Sequence, residues 1–134
     1  MKKVTVTIAK SDNNFMACVE ELEGFVCTAP TLEKLKQEVK EGVNFHIEGM
    51  KEDGDPIPEI FQNGYEFDYK WDVESLLYYY DGIITRAALE KLTGINQRQL
   101  GHYATGRSKP RPIQSKKIEK ALHHLGDELN SISL

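Results

Sequence analysis

Apolar and polar residues alternate with a period of two at the start of the chain. Val4-Thr5-Val6-Thr7-Ile8 places every second side chain on one face, the pattern of a half-buried strand. Ser11-Asp12-Asn13-Asn14 is turn chemistry, so Phe15–Glu20 is predicted to return as the second strand of a hairpin. Glu23-Gly24 marks another turn, and Phe25-Val26-Cys27-Thr28 predicts a third strand ended by Ala29-Pro30. The period then changes. Leu32, Leu35, Val39, Val43 and Ile47 are spaced by three and four, one apolar stripe on a helix. Thr31 is its N-cap, Glu33 suits its first turn, and Gly49 is expected near its end. Lys51–Pro58 reads as a loop with two prolines. Alternation resumes in Tyr65–Trp71, with four aromatic residues on one face. The order is β-β-β-α-β, a three-stranded meander with a helix packed on one side.

Helical spacing governs the rest. Asp72 is a cap candidate, and Val73, Leu76, Leu77 and Tyr80 predict a core helix stopped by Asp81-Gly82. The three tyrosines Tyr78–Tyr80 fit the edges of such a helix better than base stacking. Thr85 caps a helix to Thr93 whose Ala88, Leu89 and Leu92 face inward. Gly94 supplies a tight bend, Ile95 packs into its corner and Asn96 caps the following helix. Leu100 and Tyr103 anchor that helix, and Gly106 terminates it. The tail residues Ile118, Leu122, Leu125, Leu129 and Ile132 continue an apolar stripe. Some of these close the helical core. The surplus, Leu129, Ile132 and Leu134, offers a surface for a homodimer or higher homo-oligomer.

A chain of 134 residues with 40% apolar residues suits one domain or two small ones. Charge favours two. Residues 1–72 hold 8 Lys/Arg against 15 Asp/Glu, a net of −7, and residues 73–134 hold 9 against 6, a net of +3. Within 85–120 the balance is 9 against 2, or +7. The second half suits a polyanion, and the first would repel one and attract a basic protein. The expected class is therefore α+β, with a β-β-β-α-β domain over 1–72 and an all-α domain over 73–134. No apolar run is long enough to span a bilayer, and MKKVTVTIAK lacks the apolar core of a signal peptide, so a cytoplasmic location without membrane contact is expected. Cys18 and Cys27 read as two cytosolic thiols packed as small apolar residues; nothing else supports a disulfide or redox pair. No metal-ligand spacing is present, the adjacent His123 and His124 point to different sides of a helix, and no cofactor is expected.

Glu21-Leu22-Glu23-Gly24-Phe25-Val26-Cys27-Thr28, followed by Thr31-Leu32-Glu33, resembles the HicB antitoxins. In that family the third strand opens with a Pro-acidic-Leu-x-Gly-aromatic/Cys phrase, followed by a Gly-Asp-Thr helix cap. Here Glu20 or Glu21 stands at the proline position, Ala29-Pro30 replaces the Gly-Asp, and Lys34-Leu35 replaces the usual Glu-Ala. The resemblance covers roughly residues 3–72. It implies a truncated ribonuclease H-like fold without catalysis, which binds and blocks a small basic mRNA interferase, the HicA toxin. Metal-dependent nuclease chemistry needs a carboxylate in the first strand, and Val4–Ala9 has none, while Asp12 lies in the turn. Glu20, Glu21, Glu23, Glu38, Glu41, Asp53 and Asp55 read as a solvated or partner-facing surface, and His46 as packing or surface. No catalytic residue is expected, and the chain is not expected to be an enzyme.

Thr85–Pro110 resembles the Cro/phage-repressor (Xre-type) helix-turn-helix. Its framework positions are filled by Leu89, Gly94, Ile95, Asn96, Leu100, Gly106 and Pro110, and Ile113, Ile118, Ala121 and Leu122 continue into a closing helix. In this arrangement Gln97 can pair with adenine and Arg98 with guanine at the first turn of the second helix. His102 shares the face of Arg98, and Gln99 reaches a base or the backbone. Arg86 sits where the family contacts phosphate, and Arg107 and Lys109 are placed for phosphates. The expected partners are thus double-stranded operator DNA, a HicA-like toxin and a second copy of the chain. The function implied is an antitoxin that represses its own operon. The alternative is an Xre-type transcriptional regulator whose first domain senses a ligand or mediates assembly.

Overall fold

A computed structural model describes residues Met1–Leu134. The chain forms two compact units, Met1–Asp72 and Val73–Leu134, and its class is α+β with one four-stranded sheet and five α-helices. No helix is long and apolar enough to cross a membrane.

The first unit contains β1 (Lys2–Lys10), β2 (Phe15–Val19), β3 (Val26–Ala29), α1 (Leu32–Asp53) and β4 (Tyr65–Trp71). Three strands form an antiparallel meander, and β4 adds to the free side of β1 in parallel, giving the order β3-β2-β1-β4. A parallel pair requires a crossover between its strands, and α1 supplies it. Period-two alternation sorts the faces. Val4, Val6 and Ile8 of β1 are fully buried, as are Leu35, Val39 and Val43 of α1. The register sets Phe67, Tyr69 and Trp71 of β4 opposite Val4, Val6 and Ile8, so the aromatic side chains share that face. Helix α1 packs on β2 and β3. The β4 side is lined instead by an aromatic row. Phe61 meets Tyr65 at 5.1 Å, Tyr65 meets Phe67 at 5.6 Å, and the Lys36 ammonium stands 4.7 Å from the Tyr69 ring centroid.

Several local expectations need revision. Helix α1 does not end near Gly49 but runs to Asp53, because Gly49 keeps helical geometry and Gly54, at φ 73°, provides the left-handed cap. The Lys51–Pro58 loop therefore shrinks, and Glu59–Phe61 forms a 3₁₀ turn with Phe61 buried. Phe25 stays outside β3, and β2 stops at Val19, one residue before Glu20. Both cysteines are free. Cys27 faces Ala17 across the strands and Cys18 faces Val26, so the pleat sends the two thiols to opposite sides of the sheet.

The second unit contains α2 (Val73–Tyr80), α3 (Arg86–Thr93), α4 (Gln97–Ala104) and α5 (Pro112–Asn130). Leu77, Leu89, Ile95, Leu100, Tyr103, Ala104 and Ile118 form one core, with Val73, Leu76, Ile84 and Leu122 packed at its margin. Leu92, expected to face inward, is 37% exposed. Leu89 is the residue of this eight-residue helix that enters the buried core; Ala88 is half-buried, and Leu92 falls past the edge. The tail stripe also ends early: α5 stops at Asn130, so Ile132 and Leu134 lie beyond the helix and are exposed, as is Leu129.

Candidate nucleic-acid interface

The joint between α3 and α4 is built from local hydrogen bonds. Thr85 caps α3 through a bond from the Ala88 N–H at 3.0 Å. Gly94 takes φ 76° and donates its N–H to the Glu90 carbonyl at 2.8 Å. A side chain with a Cβ disfavours that conformation, which is why glycine stands at the bend. Thr93 Oγ1 donates to the Leu89 carbonyl at 2.7 Å and accepts from the Ile95 N–H at 3.0 Å. Ile95 is thereby set into the core and α4 starts in one direction.

The first amides of α4 are already taken. Asn96 Oδ1 accepts from the Arg98 N–H at 2.8 Å, and Glu90 Oε1 accepts from the Gln97 N–H at 2.9 Å. Two carboxylate or amide oxygens at this terminus satisfy donors that would otherwise attract an anion. These two amides are therefore closed to an anion, and the side chains around this end of α4 are the polar groups it presents.

Those side chains converge. Arg86, Gln97, Arg98, His102 and Arg107 border one open depression of about 740 Å³, whose floor includes Gly101. Gln97 and Arg98 are exposed, while His102 is half-buried. Arg86 reaches over from the first turn of α3. A Cβ on Gly101 would lie 3.2 Å from its Nη1, so the absent side chain gives the guanidinium its berth. Asp81 Oδ1 lies 3.4 Å from Arg86 Nε and orients it from the other side. This exposed pair adds little stability, but it limits where the guanidinium points.

Gln99 and Lys109 do not border the depression. Gln99 is half-buried, and its Nε2 donates to Ser108 Oγ at 3.0 Å. It ties α4 to the exit loop, together with the Ser108 N–H to His102 carbonyl bond at 3.3 Å. Lys109 is exposed on that loop. Gly106 takes φ 76°, and a Cβ there would meet Glu74 Oε1 at 2.7 Å.

Three contributors escaped the sequence reading: Asp81, Glu90 and the clearance at Gly101. Glu90 carried a signal, since a carboxylate in the C-terminal half of a helix opposes the dipole and calls for another partner. Asp81 carried none, because its contact with Arg86 depends on how α2 meets α3. No group of three or more His, Cys, Asp or Glu stands close enough to hold a metal ion.

Chemically, this surface presents three guanidinium groups, an imidazole and a carboxamide around an exposed helix start. Guanidinium forks match phosphate oxygens and the O6/N7 edge of guanine, and a carboxamide matches the N6/N7 edge of adenine. No protein-family model matches the chain, and neither a curated protein nor a solved structure is significantly similar to it.

Proposed function

We propose that the chain is a HicB-like antitoxin of a type II toxin–antitoxin pair. In this reading Met1–Asp72 binds and inhibits a small basic HicA-like mRNA interferase. Val73–Leu134 acts as a Cro/phage-repressor type helix-turn-helix that represses the pair's own operon. The observation that carries the reading is the division of charge between the compact units, −7 in the first and +3 in the second. Opposite charges suit two partners of opposite sign.

The first unit is compatible with a truncated ribonuclease H-like fold: a β-β-β-α-β order, one covering helix, and a first strand without a carboxylate. For the second unit, support comes from Gln97 and Arg98 at the exposed start of α4, with Arg86 and Arg107 beside them as phosphate contacts. Helix α4 is the element that enters the major groove, which is about 12 Å wide. One such module has a small footprint, so the chain acts as a homodimer or higher homo-oligomer on a palindrome, and Leu129 of α5 is an exposed apolar position for that assembly. Neither role requires a cofactor, a metal or an active site, and both belong in the cytoplasm.

The test has two arms with the full chain. The first is titration against DNA from its own promoter and against a scrambled duplex. The second is binding to, and inhibition of, the small basic protein encoded by the adjoining gene. Specific DNA binding together with inhibition is expected. DNA binding without a toxin partner would turn the chain into a regulator whose first unit serves ligand sensing or assembly. Loss of both sinks the proposal.

A further inference from the structure

We propose that Phe45, on the side of α1 turned away from the sheet, anchors the surface on which Met1–Asp72 receives its small basic protein partner. This rests on the antitoxin reading and adds where the partner sits. The buried stripe of α1 is Leu35, Val39, Val43 and Ile47. Phe45 falls outside that stripe and is 82% exposed, so it contributes almost nothing to the core.

Its surroundings are not those of an isolated surface aromatic. Residues three, four and seven positions away share its helical face. Those positions hold Glu38, Glu41, Glu48 and Glu52, all exposed, and Gly42 and Gly49. Lys34 lies farther along that face, and Lys51 reaches Glu48 at its edge. Gly49 leaves open space on that strip, and a second aromatic covers Gly42. The Phe25 ring lies against Gly42, where a Cβ would come within 2.9 Å of it, and stands 6.2 Å from the His46 ring. Two phenylalanines on neighbouring strips of one surface, with glutamates along the Phe45 strip, match the anatomy of a protein interface: an apolar anchor beside a charged rim.

Charge selects the occupant. Four glutamates repel nucleic acid, and they repel the same surface on a second copy. A basic protein with an apolar pocket edged by Lys or Arg complements both parts, and the glutamates steer its approach. They are free to do so. Glu41 accepts a 3.2 Å bond from Gln37, and Glu48 pairs with Lys51 at 3.4 Å, exposed contacts that are exchanged at little cost.

The test measures binding of the full chain to the small basic protein encoded beside it, at two salt concentrations. Phe45→Ala should weaken binding about tenfold or more, as for an interface anchor, and leave promoter DNA binding unchanged. Glu41→Gln/Glu48→Gln should weaken it several-fold and reduce its salt dependence. If the parent chain binds and Phe45→Ala binds equally well, this surface is wrong and the antitoxin reading stands. If the double variant keeps the parent salt dependence, the charged rim is refuted. A parent chain that does not bind the basic protein removes both the surface and the reading on which it rests.

Discussion

Glu90 Oε1 accepts a 2.9 Å hydrogen bond from the backbone N–H of Gln97, joining the last half of α3 to the first residue of α4. The same residue's carbonyl receives the Gly94 N–H at 2.8 Å. One residue thus closes the turn from its backbone and its side chain, and holds the start of α4 at a fixed angle. Glu90→Ala should cost about 1 kcal/mol of stability, the usual effect of losing an N-terminal cap. Urea denaturation of the full chain measures it. An unchanged midpoint would show that the bond does not hold the joint.

The two glycines bordering the depression should respond oppositely to alanine. Gly101 has helical geometry, and a Cβ there meets only the flexible end of Arg86 at 3.2 Å. Gly101→Ala should raise stability by up to about 1 kcal/mol through helix propensity, while displacing the guanidinium and weakening DNA binding. Gly106 has φ 76°, and its Cβ would meet Glu74 at 2.7 Å. Gly106→Ala should destabilise by about 1 kcal/mol or more. Thermal melts of both variants decide the matter; equal shifts would contradict this account of either site.

Arg98 and Lys109 divide the work of DNA binding under the proposed function. Arg98→Ala should cost about 1–3 kcal/mol on the specific duplex and much less on a scrambled one. Lys109→Ala should weaken both similarly and lower the slope of affinity against salt. Mobility-shift titrations at several salt concentrations separate them. Identical profiles would remove the distinction between base reader and phosphate contact.

Alkaline pH should destabilise the first unit. Burial, then the negative charge of Glu38 and that of Cys18 once deprotonated, push Cys27 above the ordinary thiol value of 9.0. Burial likewise raises Tyr65, and burial followed by Cys27 raises Tyr69, above the ordinary 10.0. Each group loses its proton more easily when unfolded. Their contribution is therefore fully present below the ordinary values and is lost as pH rises through the raised ones. Stability should hold to about pH 8 and fall steadily from pH 9 upward. Cys27 should also react slowly with iodoacetamide at pH 8, because only the thiolate attacks. Cys27→Ser should lessen the early part of the alkaline fall, and a fall unaffected by that change would reject the assignment to the thiol.

What the chain could reveal by itself was local. The period of two in Val4–Ile8 and Tyr65–Trp71, and the stripe through Leu35, Val39, Val43 and Ile47, express how each side chain must point in a pleat or a helix. Thr31, Thr85, Asn96 and Gly94 were legible because caps and tight bends demand those residue types within a few positions. Gly49 misled for the same local reason: a glycine resembles a helix end, but α1 continued because Met50 and the positions after it remain helical up to the true left-handed cap at Gly54.

Tertiary structure decided what depends on distant partners. The parallel placement of β4 beside β1 is set by the crossover through α1, which no strand pattern encodes. Leu92 lies outside the core because the packing of α4 and α5 covers only part of α3. The depression at α4 combines residues predicted one at a time with Asp81 and Gly101, whose parts arise only when the Arg86 guanidinium is laid across the α4 surface. Local sequence chooses side-chain direction and turn geometry; which surfaces then meet is fixed by burial of the whole core.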